Sequence, residues 1–248
     1  GSRIASVHNG SSLFTGDAGQ GESNIRRWII ENDWLEAIVA LPLKMFYNTG
    51  IATYVWVLSN RKEDRRKGKV QLIDATTWFT PLRRNLGEKG VEVSSTDADK
   101  VLEAFKAFDE YKDTDHSKVF DGVEFGYNKI TVERPLRIAG VDPHRVYTAK
   151  EIKKLKEDGV RDESAPPVIR KALPYAAAPD PLHGRYEAVI DGRARVVEYE
   201  PDTELRDTEQ VPLTEPAGDY ADGIEAFFRC EVEPYAPDAW IDDSKAKI

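Results

Sequence analysis

Two adjacent aromatic residues, Phe46 and Tyr47, are the side chains of this sequence that most suggest a binding site. They lie in the connection 42–50, between two apolar runs at residues 35–41 and 51–58, next to the turn-forming triplet Asn48-Thr49-Gly50. Loops held at the ends of a sheet commonly carry binding residues. The two rings could instead cover the edge of the sheet, because buried aromatic residues are ordinary core material. This stretch alone leaves both interpretations open.

The two apolar runs predict strands covered on both faces, as in the middle of an α/β sheet. Their connection is too long for a two-residue hairpin and too short for a crossover helix, which favours an antiparallel pair. Further strands are predicted over residues 3–8 and 69–74. A helix capped by Ser23 is predicted over 23–32, with Ile25, Trp28 and Ile29 on its inner face. This order predicts the closing part of an open α/β sheet that is complete by residue 77.

The remainder of the chain predicts a mixed α+β extension, with a division into residues 1–90 and 91–248. Its predicted elements are helices over 98–112 and 222–232, a helix from the cap Thr148 to residue 157, a strand over 125–132, and a hairpin of 186–190 with 194–199. The Pro- and Ala-rich residues 164–181 predict a linker. Cys230 in the last helix is interpreted as a small packing residue.

Positive charge is concentrated in residues 61–90, where Lys and Arg outnumber Asp and Glu by 9 to 4, although the whole chain has a net charge of −9. Such a segment could contact phosphate or form a solvated surface. The single cysteine and four scattered histidines exclude a disulfide within the chain and match no metal-ligand spacing. No apolar run has the roughly 20 residues of a membrane span and no signal peptide is evident, so a cytoplasmic protein is expected.

Four segments together resemble the modification (methyltransferase) subunit of type I restriction-modification systems, a family of adenine-N6 DNA methyltransferases. They are residues 3–19, 22–60, 125–137 and 222–248, which include RIASVHNGSSLFTGDAG and FGYNKITVERPLR. The resemblance implies a Rossmann-like fold that transfers a methyl group from S-adenosylmethionine to adenine N6 in double-stranded DNA. It also implies partners, a specificity subunit that reads the target and a restriction subunit.

Two motifs of that family do not occur in these 248 residues. One is the glycine loop that holds the cofactor, and the other is the tetrapeptide Asn-Pro-Pro-Phe/Tyr that accepts hydrogen bonds from the adenine amino group. The chain therefore resembles the downstream part of the subunit, in which the closing half of the methyltransferase sheet is followed by the extension. We expect it to be inactive alone and not to bind S-adenosylmethionine.

The resemblance also gives the candidate residues their roles. Such enzymes extrude the target base, and Phe46 matches the aromatic residue that stacks on it, with Tyr47 as the alternative. Asn9 and Gly10 follow the strand that lies near the cofactor. Lys44 is the better candidate for a DNA phosphate contact, whereas Arg26 and Arg27 could instead be solvated or paired within the chain. The alternative functions are a non-catalytic DNA-binding or subunit-assembly module and, from GDAGQG alone, a nucleotide-binding domain.

Overall fold

The computed structural model describes residues 1–214 and 223–247 and divides the chain into two compact units, Gly1–Gly126 and Tyr127–Ile248. The first unit contains seven strands and three helices. They are β1 (Arg3–Asn9), α1 (Ser11–Phe14), α2 (Gly21–Glu31), β2 (Leu35–Ala40), β3 (Thr53–Ser59), β4 (Lys69–Asp74), β5 (Thr80–Leu86), β6 (Lys89–Glu92), α3 (Ser95–Ala107) and β7 (Ser117–Asp121).

Five of these strands form one sheet in the order β1-β3-β2-β4-β7. β3 is antiparallel to both β1 and β2, and β2 is parallel to β4. This arrangement confirms that the three predicted strands share one sheet with the last of them antiparallel. The expectation that the sheet is complete by residue 77 is wrong, because β7 pairs antiparallel with β4. The first unit accordingly extends to Gly126 and not to the predicted boundary at residue 90.

Helices cover both faces of the sheet. Ile29 and Ile30 of α2 pack against Leu35, Trp56 and Val70 on one face. On the other face, Ala104, Val101 and Phe105 of α3 pack against Val39, Ile73 and Trp78. The near-continuous apolarity of β2 follows from this double coverage, because alternate side chains of a strand point to opposite faces.

The prediction for α2 needs two corrections. The helix begins at Gly21 after Gln20, without a side-chain cap, so Ser23 is not its cap. Ile25 and Trp28 are 59% and 55% exposed, and only the turn containing Ile29 reaches the core. The first turns of the helix instead contact the segment before it, where Asn24 donates to the carbonyl of Gly19.

Helix α3 begins three residues before the predicted position. Ser94 accepts a hydrogen bond from the backbone N–H of Asp97, and the Asp97 carboxylate accepts one from the backbone N–H of Ser94. This reciprocal capping box satisfies two N–H groups that the first turn of a helix leaves without partners. The hydrogen bond from the Ser94 hydroxyl is the largest cause of the lowered pKa of Asp97.

The described residues of the second unit form two three-stranded sheets, β12-β8-β13 and β10-β11-β9. Its elements are β8 (Tyr127–Glu133), α4 (Ala149–Asp158), β9 (Ile169–Ala172), β10 (Arg185–Ile190), β11 (Arg193–Tyr199), β12 (Asp207–Pro212), α5 (Ile224–Phe227) and β13 (Trp240–Ile241). The predicted hairpin is confirmed, with Asp191 and Gly192 at positive φ between its strands. Thr148 caps α4, as predicted.

Three expectations for the second unit are corrected. The segment 164–181 is not a linker, because it contains β9 and places Val168 and Ile169 in the core. The last predicted helix is the short α5 followed by a π-helical turn over Phe228–Val232, and its predicted start at residue 222 lies outside the described residues. Phe228 and Val232 take the buried positions of that turn, so Cys230 is exposed and does not pack.

Candidate functional site

The candidate loop lies at the end of the sheet where β1, β2 and β4 finish. Asn9 at the end of β1 pairs with Thr53, the first residue of β3. Ala40 at the end of β2 pairs with Tyr54 and with Asp74, the last residue of β4. Residues 41–52 join β2 to β3 and so begin and end at this edge. The carboxyl ends of strands in open α/β sheets are where ligands commonly bind.

The two aromatic side chains of the loop differ in exposure. Phe46 forms an antiparallel bridge with Thr49 that closes a tight turn, and its side chain is half-buried. The neighbouring Tyr47 is 57% exposed. Both rings therefore lie on the loop at the carboxyl edge, and Tyr47 offers the more open face.

A neighbouring hairpin supports this loop through the backbone. Strands β5 and β6 pair antiparallel, and Glu88 N–H in their turn donates to the carbonyl of Tyr47 at 3.0 Å. Gly90 N–H donates to the carbonyl of Lys44, also at 3.0 Å. These bonds attach the loop to the outer side of β6. Sequence analysis missed the hairpin, although Gly87 in a two-residue connection between Leu86 and Lys89 is a recognisable turn signal.

Gly87 is required by this contact for two reasons. Its φ is +63°, and a Cβ at this position would lie 3.0 Å from the carbonyl oxygen of Tyr47. Any L-residue in the left-handed region costs about 1–2 kcal/mol. In addition, a Cβ at residue 87 would push the Tyr47 carbonyl, and with it the loop, away from the hairpin.

We expect Gly87→Ala to lower stability by about 1–2 kcal/mol and to loosen the loop, seen as faster hydrogen exchange of the Glu88 and Gly90 amides. Gly68→Ala is the matched control, because Gly68 has φ +71° but a Cβ there would meet nothing within 4 Å. The control should have the same backbone strain without the faster exchange. Equal exchange at these amides in both variants would show that Gly87 does not hold the loop.

The other candidates near this edge have different surroundings. Lys44 is exposed, has φ +58°, and its ammonium has no partner within the residues that the structure describes. Asn9 is exposed and its carbonyl accepts a hydrogen bond from Ser12 Oγ at 2.9 Å. Gly10 is half-buried beside the ring of Tyr54. A carboxylate at the same edge, Asp74, has a lowered pKa chiefly because it accepts a hydrogen bond from the Thr76 hydroxyl at 2.6 Å.

Arg26 and Arg27 lie on α2 and have partners within the chain. Arg26 donates to the carbonyl of Thr15 at 2.6 Å and to that of Ser12 at 3.4 Å, where α1 ends. Arg27 pairs with Glu31 at 2.6 Å, four residues later on the same helix. Both arginines thus have partners within the chain, which is one of the alternatives that the sequence left open, and neither of these partners belongs to the aromatic loop.

The basic segment 61–90 separates into buried and exposed residues. Arg66 and Lys62 are buried, and Lys62 donates to Asp33 and to the carbonyl of Lys69. Arg66 pairs with the fully buried Glu36 and lies 4.2 Å from the ring centre of Phe105. Burial is the largest influence on the pKa of Arg66 and lowers it.

Four arginines of the same segment lie on the surface, Arg61, Arg65, Arg83 and Arg84, and Arg65 among them pairs with Glu63. Arg83 and Arg84 lie on β5 and are exposed, and the structure gives their guanidinium groups no acidic partner among the described residues.

Residues 1–136 match the N-6 DNA Methylase family model, and this match spans more than half of the chain. The chain belongs to the N-6 DNA methylase family. The matched residues include the whole first unit of the chain, with the aromatic loop and the hairpin that supports it.

Curated relatives of this N-6 DNA methylase chain are methylase subunits of type I restriction enzymes. The MjaVII subunit of Methanocaldococcus jannaschii is 30% identical over 158 residues, which is 62% of this chain and 26% of the relative. The HindI subunit of Haemophilus influenzae is 38% identical over 92 residues, 37% of this chain and 20% of the relative. The chain thus matches about a quarter or less of the length of these relatives.

A solved structure, a type I restriction-modification methyltransferase subunit from Streptococcus thermophilus, is also similar, with 24% identity and a TM-score of 0.41. The similarity covers 49% of this chain and 23% of that one. In the described part of the methylase chain, no three His, Cys, Asp or Glu residues come together as a metal site. None of its described helices has the length and apolarity needed to cross a membrane.

Proposed function

We propose that this chain is the downstream part of a type I modification subunit that methylates adenine N6 in double-stranded DNA. The observation that carries the proposal is the pair of aromatic rings at the carboxyl edge of a sheet in a chain of the N-6 DNA methylase family. The similarity to type I methylase subunits supports the type of system. The proposed partners are duplex DNA, a specificity subunit and a restriction subunit.

In this proposal the five-stranded sheet is the closing half of a Rossmann-like methyltransferase sheet. β1 supports it, because it forms one edge, and its Ile4 and Val7 side chains are 60% and 54% exposed. Apolar side chains on an uncovered edge strand favour pairing with a further strand. The preceding part of the longer subunit would add strands here and cover both residues.

The proposed task of the loop is to hold an extruded adenine. A base in the duplex stack cannot be reached by the catalytic groups, so it is moved out of the helix and held against an aromatic face. Phe46 supplies that face, or Tyr47 if the base approaches the more exposed ring. Lys44 contacts a phosphate near the extruded nucleotide, and Asn9 and Gly10 lie beside the base or cofactor.

The residues of this chain do not by themselves fit S-adenosylmethionine, which would supply the methyl group. After β1 the chain passes directly through Gly10, in helical conformation at φ −60°, into the four-residue α1. A Cβ at Gly10 would be 3.5 Å from the ring of Tyr54, an ordinary contact, so this glycine does not form a cradle for a ligand. The cofactor pocket therefore requires the preceding part of the sheet.

We expect the 248-residue chain to show no heat of binding with S-adenosylmethionine and no methyl transfer to DNA. A catalytic pocket stabilises the transition state only when its polar groups are already in place, and the motifs that would supply them are not in this sequence. Isothermal calorimetry of this chain beside the complete subunit is the measurement. Micromolar binding by this chain alone would refute the assignment to the closing half.

The complete subunit provides the direct test of function. Reconstituted with its specificity subunit and given radiolabelled S-adenosylmethionine, it should transfer label to adenine N6 in duplex DNA. Assembly and DNA binding without any transfer would instead favour the alternative, a non-catalytic DNA-binding or assembly module.

A further inference from the structure

The hairpin of β5 and β6 is the exposed feature of the first unit that the proposed chemistry does not use. Of its 13 residues, Thr80–Glu92, none is buried. An isolated two-stranded hairpin is only marginally stable in water. This hairpin is held at its turn by the bonds to Tyr47 and Lys44 and at its base by Thr80, whose hydroxyl lies 3.4 Å from the Asp97 carboxylate.

The charge on this surface differs in sign from that of the whole chain. The aromatic loop, residues 41–52, and the hairpin together carry Lys44, Arg83, Arg84 and Lys89 against Glu88 and Glu92, whereas the chain has a net charge of −9. Lys44, Arg83 and Arg84 are exposed and have no ion-pair partner in the described part of the chain. Most other basic side chains of the segment 61–90 are occupied, as in the pairs Lys62–Asp33, Arg66–Glu36 and Lys67–Asp64.

We propose that this hairpin is a DNA-backbone clamp whose Arg83 and Arg84 bind phosphates next to the nucleotide held by the aromatic loop. Guanidinium groups bind phosphate oxygens with two parallel hydrogen bonds, which fixes the position of the backbone as well as attracting it. The proposal rests on the proposed function and adds to it the residues that position the DNA.

Backbone hydrogen bonds connect the hairpin to the aromatic loop. The carbonyls of Lys44 and Tyr47 accept hydrogen bonds from β6 and from the turn, so the arginine-bearing ribbon and the aromatic loop are directly connected. A phosphate held on β5 therefore sets the register of the strand from which the base is extruded. Phosphate contacts of this kind position the protein on the duplex without reading its sequence.

The test is the salt dependence of DNA binding by the complete modification subunit, assembled with its specificity subunit. The variant combines Arg83→Ala and Arg84→Ala in the modification subunit. Each lost phosphate contact lowers the slope of log affinity against log salt by about 0.9, so the double variant should lose about 1–2 from that slope. The affinity for target and non-target duplexes should fall by the same factor.

A double variant at the opposite end of the sheet is the matched control. Arg61 follows β3 and Lys67, which pairs with Asp64, precedes β4. Both are exposed, so Arg61→Ala with Lys67→Ala removes the same number of positive charges from the amino end of β4. This control should keep the parent's slope. An equal loss of slope in both double variants would show a general charge effect and overturn the clamp.

Two other outcomes would also overturn it. An unchanged slope with increased self-association would mean that the arginines only protect an exposed ribbon from pairing with other chains. An unchanged slope with weaker binding of the specificity subunit would make the hairpin a protein contact. If the parent complex methylates DNA and the Arg83 and Arg84 double variant keeps the parent's slope, the clamp is wrong but the proposed function stands. If the parent complex neither binds nor methylates DNA, the proposed function itself is wrong.

Discussion

Arg66→Ala should lower the free energy of unfolding of the first unit by about 3 kcal/mol, the lower end of the range for breaking a buried ion pair. Its side chain is 2% exposed and pairs with the fully buried Glu36, and its guanidinium lies within 4.3 Å of the ring centres of Phe105 and Phe108. The lower end is expected because Arg3 also holds Glu36, with two hydrogen bonds of 2.7 and 2.9 Å. Urea unfolding followed by tryptophan fluorescence measures the loss, since four of the five tryptophans are in the first unit.

The neighbouring Arg65 provides the control for this prediction. It is 41% exposed and pairs with Glu63, so Arg65→Ala should cost less than about 1 kcal/mol, as for other surface pairs. Arg66→Met combined with Glu36→Gln should be less destabilised than Arg66→Ala, because no buried charge then loses a partner. If Arg66→Ala and Arg65→Ala unfold at the same urea concentration, the buried pair does not stabilise the sheet.

Phe46→Ala in the complete subunit should reduce methylation about 5- to 150-fold while leaving overall DNA affinity nearly unchanged. An aromatic face contributes roughly 1–3 kcal/mol to holding an unstacked base, which converts to that factor at 1.4 kcal/mol for each tenfold change. Most duplex affinity comes from phosphate contacts and should not respond to one ring. A fluorescent adenine analogue at the target position would report extrusion of the base directly.

Tyr47→Ala is the matched variant, because Tyr47 is the adjacent aromatic residue on the same loop and is the more exposed of the two. Phe46→Tyr and Phe46→Trp should retain much of the rate, since each keeps a stacking face. If Tyr47→Ala abolishes extrusion and Phe46→Ala does not, the stacking residue is Tyr47. Unchanged methylation in both alanine variants would leave the two rings as edge packing.

The central strands could be predicted from the sequence because their burial is recorded in composition. Both faces of β2 and β3 are covered, so apolar residues follow each other along each strand with few polar interruptions. Val39 of β2 and Trp56 of β3 are buried examples. β7, with the sequence SKVFD, is an edge strand of mixed polarity that has no such pattern. Its membership in the sheet depends on pairing with β4 across a connection that contains α3, and that is a tertiary effect.

The basic segment shows the same limit for the candidate site. Composition locates nine basic residues between 61 and 90 but cannot separate Arg66, which is buried against two phenyl rings, from Arg84, which is exposed. The partner of Arg66 is Glu36, thirty residues earlier, and only the folded sheet brings the two together. The aromatic loop could be found because the two strands that flank it are close in sequence. Its contact with the β5–β6 hairpin could not, because the hairpin lies about forty residues later in the chain.

The position of β3 between β1 and β2 also fixes the order in which the sheet can assemble. β1 and β2 have no ladder with each other, and each pairs with β3, so neither of these ladders can be complete before the end of β3 has been synthesised. The β2–β3 pair closes a short connection and is expected to form first, because short loops cost less entropy to close. β1 then adds to the far side of β3 across more than forty residues, which makes this long-range step the slower one.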